Sequence, residues 1–139
     1  MPLANDQMLP AVSLDHAHIF ASDLGATVRF FETLLGATLV WDEIVAGARV
    51  VRLKVGRGFV EVYDQPPKTP RGGAFHHLGL ATDDLVGLVQ SMKARGFEFR
   101  NPIREEKTFR YVMIAGPDDL LIELFECFEP GRWGVGARY

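Results

Sequence analysis

The sequence predicts an α+β fold in which two paired βαβββ modules form a curved mixed sheet around a metal cup. Three observations predict it: an internal repeat, a switch of hydrophobic period within each copy, and the recurrence of His and Glu at matching strand positions. The chain has 139 residues, the size of one domain or of two half-size units sharing a core. The reading divides it into a flexible lead over 1–11, a single domain over 12–128 and a C-terminal tail over 129–139. Within the domain the modules span 12–64 and 75–128, joined by a linker over 65–74.

The repeat comes first. His16-Ala17-His18-Ile19-Phe20-Ala21-Ser22-Asp23-Leu24 lies over His77-Leu78-Gly79-Leu80-Ala81-Thr82-Asp83-Asp84-Leu85, with an offset of 61 at both the histidine and the Asp-Leu pair. A strand opens each copy. A helical stretch follows, from Leu24 through Phe30, Phe31 and Leu34 to Gly36, and from Leu85 through Leu88, Val89 and Met92 to Gly96. Asp23 and Asp84 are suited to cap the helix starts, and a glycine beyond the last turn suits a left-handed stop.

A period of two then takes over. Ala37–Trp41, Ala48–Val55 and Phe59–Tyr63 read as strands, split by Ala46-Gly47 and Gly56-Arg57-Gly58. The second copy places its strands near Phe97–Phe99, Phe109–Ala115 and Leu120–Phe125, with Gly116-Pro117-Asp118-Asp119 as the last turn. Gln65 to Gly73 carries three prolines and two glycines and reads as the linker. One module alone would leave a sheet face bare, and pairing two buries a shared core.

Composition narrows the function classes. Net charge is −3 with a pI near 5.8, which gives no electrostatic case for nucleic acid or an anionic membrane. No apolar run approaches the ~20 residues that span a bilayer. Cys127 is the single cysteine, so no intrachain disulfide forms and a reducing, cytoplasmic setting is expected. It reads as strand-end filler. The segment 1–10 lacks the order of a secretory signal, and 131–136 reads as a loose tail unless Trp133 docks. Ten phenylalanines suggest a cavity wall as well as a core.

Alternation along strands decides which side chains share a face. His16, His18 and Phe20 point one way, and Ala17, Ile19 and Ala21 point towards a covering helix. Glu61 shares its face with Phe59 and Tyr63, His77 with Gly79 and Ala81, and Glu123 with Leu121 and Phe125. Each His or Glu thus sits away from the helix. The spacing also repeats, 45 residues from His16 to Glu61 and 46 from His77 to Glu123. A pseudo-twofold would bring the two pairs together, and two imidazoles with two carboxylates suit one divalent ion such as Zn, Ni, Co, Mn or Fe. A metal also explains why strand-centre glutamates are tolerated.

At these residues the chain resembles the vicinal oxygen chelate superfamily of glyoxalases, bleomycin resistance proteins and dioxygenases. The resemblance rests on Leu14-Asp15-His16 running into Ser22-Asp23-Leu24, on Phe30-Phe31 and Leu35-Gly36, on His77 running into Asp84-Leu85, and on Gly116-Pro117-Asp118 leading to Ile122-Glu123-Leu124. It covers about residues 12 to 128. The ligand set is most similar to that of bacterial glyoxalase I. Phe20 stands where that enzyme commonly carries an arginine, and Asp119 where the last turn commonly has glycine.

The resemblance and the face assignments together imply a metal-dependent lyase or isomerase of glyoxalase I or epimerase type. It would act by proton transfer next to a carbonyl on a small, oxygen-chelating substrate. His16, Glu61, His77 and Glu123 are the expected metal ligands. Glu123, and after it Glu61, is the expected catalytic base, and His18, Phe20, Phe59, Tyr63 and Phe125 are expected to bind substrate, with the role of His18 left open between a substrate contact, a hydrogen-bond donor behind the ligands, a further ligand and a mere lining residue. Alternatives are an extradiol-type Fe(II) dioxygenase and a metal-free small-molecule (antibiotic) binding protein. A homodimer is expected by analogy, and the sequence leaves open whether the cup forms within one chain or between two. His76 is expected to be structural. Arg49, Arg52 and Arg110 could bind an anionic group, but read more readily as residues of a solvated face.

Overall fold

A computed structural model describes residues 16–45, 47–68 and 75–129. The lead, most of the linker and the tail beyond 129, Trp133 included, lie outside the described residues. The first module runs β1 (His16–Phe20), α1 (Leu24–Leu35), β2 (Thr38–Val45), β3 (Ala48–Val55) and β4 (Gly58–Tyr63). The second runs β5 (Leu78–Ala81), α2 (Leu85–Ala94), β6 (Arg104–Glu105), β7 (Phe109–Ala115) and β8 (Leu121–Cys127). Each forms a four-stranded mixed sheet, in the orders β1-β4-β3-β2 and β5-β8-β7-β6. In both, the opening strand lies parallel to the closing strand and the remaining pairs are antiparallel.

Local chemistry sets the helix ends. The Asp23 carboxylate accepts from the Ala26 N–H, and that of Asp84 from Gly87 N–H, which satisfies donors that a first turn leaves unpaired. Gly36 ends α1 at φ 70°, a conformation costly for residues with a Cβ. Each helix buries one stripe: Leu24, Thr27 and Phe31 in α1, and Leu85, Val89 and Met92 in α2. Against them lie the inward residues of the strands, Ile19, Val51, Leu53, Val60 and Val62 in the first module and Val112, Ile114, Ile122 and Leu124 in the second.

The modules share a core. Phe30, Leu35, Leu78 and Leu120 pack against both buried clusters, and the Phe30 ring meets Phe97 at 6.2 Å. Asp118, in the 3-10 turn Pro117–Asp119, accepts from the Ser22 N–H at 2.9 Å.

Two strand expectations need correction. Phe97–Phe99 is not a strand: their rings meet each other at 4.9 Å and pack into the second core. Gly96 at φ 91° and the bond from Phe97 N–H to Met92 C=O close α2 there, and the edge strand is the two-residue β6 beyond Pro102. The first edge strand is longer than its apolar pattern, running to Val45, because β3 pairs with it along that length.

Candidate metal centre

Strand register builds the site. β1 runs beside β4 with His16 opposite Phe59, His18 opposite Glu61 and Phe20 opposite Tyr63. All six side chains therefore share the face away from α1. His16 and Glu61 are diagonal neighbours, and Nδ1 of His16 lies 3.5 Å from Oε2 of Glu61. The second module repeats the construction. Gly79 stands opposite Glu123, and Nε2 of His77, just ahead of β5, lies 3.8 Å from Oε1 of Glu123.

Within one chain the four expected ligands stand as two His/Glu pairs. Among the described residues, one group of three brings all its donor atoms within 4.8 Å of one another, and it is His16, His18 and Glu61. His77 and Glu123 lie outside that group.

The chemistry of the donors fits a divalent ion. Two donors bound to one ion at the usual lengths sit about 3 Å apart, close to the spacing of each pair. His16 and Glu61 side chains are 35% and 12% exposed, and those of His77 and Glu123 33% and 24%. An ion there is reachable from solvent and partly shielded from it. Burial holds the His18 imidazole below the ordinary histidine value, against the opposing pull of the Glu61 carboxylate. The ring is therefore neutral at neutral pH, with a lone pair to offer.

Arg52 is the residue that sequence reasoning misjudged. Its Nη1 lies 2.5 Å from Oε2 of Glu61, and its side chain is only 15% exposed. Its guanidinium also covers the Phe59 ring at 3.9 Å, so it is no solvated face residue. The signal was present in the turn. With Val55 opposite Gly58, a two-residue Gly56-Arg57 turn puts Arg52 opposite Glu61. The counterpart across from Glu123 is Met113, so one carboxylate carries a cation and the other faces a thioether.

The other two arginines have separate duties. Arg49 makes a two-point contact with Asp42 at 2.9 and 2.7 Å, and that hydrogen bonding holds the Asp42 carboxyl below its usual range. Arg110 binds Glu126 at 3.1 Å, while the other Glu126 oxygen accepts from the Leu85 N–H at the start of α2.

The aromatic residues form a wall beside the donors. His18 packs at a tilt against Tyr63 with ring centroids 4.1 Å apart, and Phe20 stacks on Tyr63 at 6.0 Å. Phe125 lies beside Gly79, where an added Cβ would meet its ring at 3.7 Å. A cleft of about 610 Å³ is lined by Val55, Val60, Leu78, Leu88 and Leu124, and reaches the donors at His16 alone. Its lining mixes helix-side residues such as Val60 and Leu124 with Phe59, Gly79 and Ala81 from the face that carries His16 and Glu123, so the cleft runs from the seam between modules to the edge of that face. His76 is exposed, and its Nδ1 lies 2.8 Å from Nδ1 of His77. Its ring meets that of His77 edge-on, and it is not packed in either core.

Comparisons with known proteins agree with this architecture. The model of the Glyoxalase/Bleomycin resistance protein/Dioxygenase superfamily matches residues 13–124. The uncharacterized protein YwbC of Bacillus subtilis (strain 168) is 30% identical over 132 residues, covering 84% of this chain and 98% of the relative. Among solved structures, a variant of the fosfomycin resistance protein FosX from Listeria monocytogenes, in complex with Mn(II) and dihydroxypropylphosphonic acid, superposes with TM-score 0.66. It is 17% identical, over 83% of this chain and 92% of that one. TnmS3, an antibiotic binding protein from Streptomyces sp. CB03234, gives TM-score 0.69 at 20% identity, over 86% and 98%.

Proposed function

The chain belongs to the Glyoxalase/Bleomycin resistance protein/Dioxygenase superfamily, and from that premise we propose that it is a metal-dependent lyase or isomerase that moves a proton next to a carbonyl of a small, oxygen-chelating substrate. The observation that carries this reading is the pair of His/Glu contacts, 3.5 and 3.8 Å, that equivalent strand registers produce in the two modules. The pairs do not close on one another within the chain. The reading therefore takes the cup as assembled between two copies, His16 and Glu61 from one and His77 and Glu123 from the other. A relative of the same fold was solved with Mn(II), which supports a divalent ion in such a cup.

The ion, when bound, would supply Lewis-acid stabilisation of negative charge developing on substrate oxygens. The chain's own residues do the rest. His16 and His77 would hold the ion through ring nitrogens, with Glu61 and Glu123 as the carboxylate donors. Glu123 takes the proton from carbon and returns it, because Met113 opposite leaves its carboxylate open to substrate while Arg52 occupies Oε2 of Glu61. Phe20, Tyr63 and Phe125 exclude water and bind the apolar part of the substrate, with His18 beside them.

The test pairs metal analysis with turnover. Untagged protein should carry close to one divalent ion per cup and sediment as a dimer. A screen of 2-oxo and vicinal-oxygen substrates, run with and without oxygen, should give oxygen-independent turnover, and Glu123→Gln should lower it about 10²-fold or more while leaving the fold intact. Oxygen consumption would move the protein to the extradiol dioxygenase reading.

One observation favours a second reading. Arg52 already neutralises Glu61, so the first half-site is electrostatically satisfied without an ion, as a metal-free small-molecule binder requires. Protein that takes up no added divalent ion, yet binds a small aromatic compound, would establish that reading and end the first.

A further inference from the structure

We propose that the first module by itself is a three-donor metal site, with His18 as a ligand alongside His16 and Glu61. The inference rests on the reading that this face holds a divalent ion, and it adds that the ion does not need the second module to stay there.

The geometry comes from strand register. His16 and His18 are two apart on β1, so both project from one face, and Glu61 stands on the adjacent strand directly across from His18. One donor atom from each lies within 4.8 Å of the other two. Donors around one bound ion are spaced about 3–4 Å, so small side-chain rotations close the triangle without moving either strand. Two imidazoles and one carboxylate from one face leave the opposite side of an ion open to further ligands, a pattern suited to several first-row metals.

The pseudo-symmetry breaks where this proposal needs it to. The repeat places Gly79 at the position of His18, so the second module offers only His77 and Glu123. The ring of His18 packs at a tilt against Tyr63, with centroids 4.1 Å apart, which costs part of its rotamer freedom before an ion arrives. Arg52, opposite Glu61 and stacked on Phe59, fixes the carboxylate on the same face. The first half-site is thus pre-arranged and differs from the second, which offers His77 and Glu123 alone.

Untagged, metal-stripped full-length protein titrated with Co(II) tests this, read by visible absorption and by metal analysis of the dialysed protein. Far-UV circular dichroism confirms that each variant is folded. The double variant His77→Ala/Glu123→Gln should still bind one Co(II) per chain within about 10-fold of the parent affinity, and adding His18→Ala should weaken binding at least about 10²-fold. Loss of Co(II) in the double variant, with binding by the parent intact, overturns the inference and leaves the shared four-donor cup standing. Unchanged binding on adding His18→Ala overturns it as well. A parent that binds no Co(II) overturns this inference and the metal-dependent function together.

Discussion

Asp118 and Asp119 both adopt φ 57°, a left-handed conformation that costs residues with a Cβ about 1–2 kcal/mol, less for Asp and Asn. Asp118 has a reason to be there, since its carboxylate accepts from Ser22 N–H across the module boundary. Nothing comparable ties down Asp119, which is exposed. Asp119→Gly should therefore raise stability by about 0.5 kcal/mol, the relief of strain exceeding the added freedom of the unfolded glycine, as read by urea denaturation. Asp118→Ala should lower it by about 1 kcal/mol, through a lost hydrogen bond with no relief of backbone strain. Side-chain identity also explains why the candidate ligands stood out in the sequence and Arg52 did not. His and Glu at equivalent positions of a repeat announce themselves. An arginine does so only once the turn Gly56-Arg57 has fixed its partner as Glu61.

The two helices began and ended where their caps place them, because Asp23, Asp84, Gly36 and Gly96 act within a few residues of their own position. Gly87 shows how tightly one cap is built. A Cβ there would collide with the Asp84 carboxylate. Gly87→Ala alone should be close to neutral, since about 1 kcal/mol of helix propensity offsets about 1 kcal/mol of lost cap. With Asp84→Ala already present, the same substitution should stabilise by about 1 kcal/mol. A double-mutant cycle by thermal or urea unfolding measures this coupling, and additive effects would count against the cap. The edge strands were the poorly legible elements. Both are defined by pairing with β3 or β7 and not by their own pattern, and the phenylalanines near 97–99 serve the core instead.

Across the whole molecule the modules are joined through Phe30, Leu35, Leu78 and Leu120 as well as the Ser22–Asp118 bond. Such sharing predicts one cooperative unfolding transition. Phe31, fully buried in the first core, and Met92, fully buried in the second, should on replacement by alanine destabilise the molecule by about 3–5 and 2–5 kcal/mol respectively, each lowering the same urea midpoint. In a Trp133→Phe background, Trp41 fluorescence reports from the first module, and amide exchange in β7 and β8 reports from the second. Two separated transitions would mean that the modules fold independently. Among the described residues no helix is long and apolar enough to cross a membrane.

By itself the sequence determined the repeated βαβββ order, both helix caps, the family, and the face on which His16, His18, Glu61 and Glu123 lie. Those features depend on short-range rules, on period-two alternation and on a duplicated pattern, all of which are written in neighbouring residues. Tertiary structure decided the rest: the separation of the candidate ligands into two His/Glu pairs, the closeness of His18 to the first pair, the Arg52 cation on Glu61 and the contact of His76 with His77. These depend on distances between segments far apart in the chain, and register and packing fix such distances where alternation cannot.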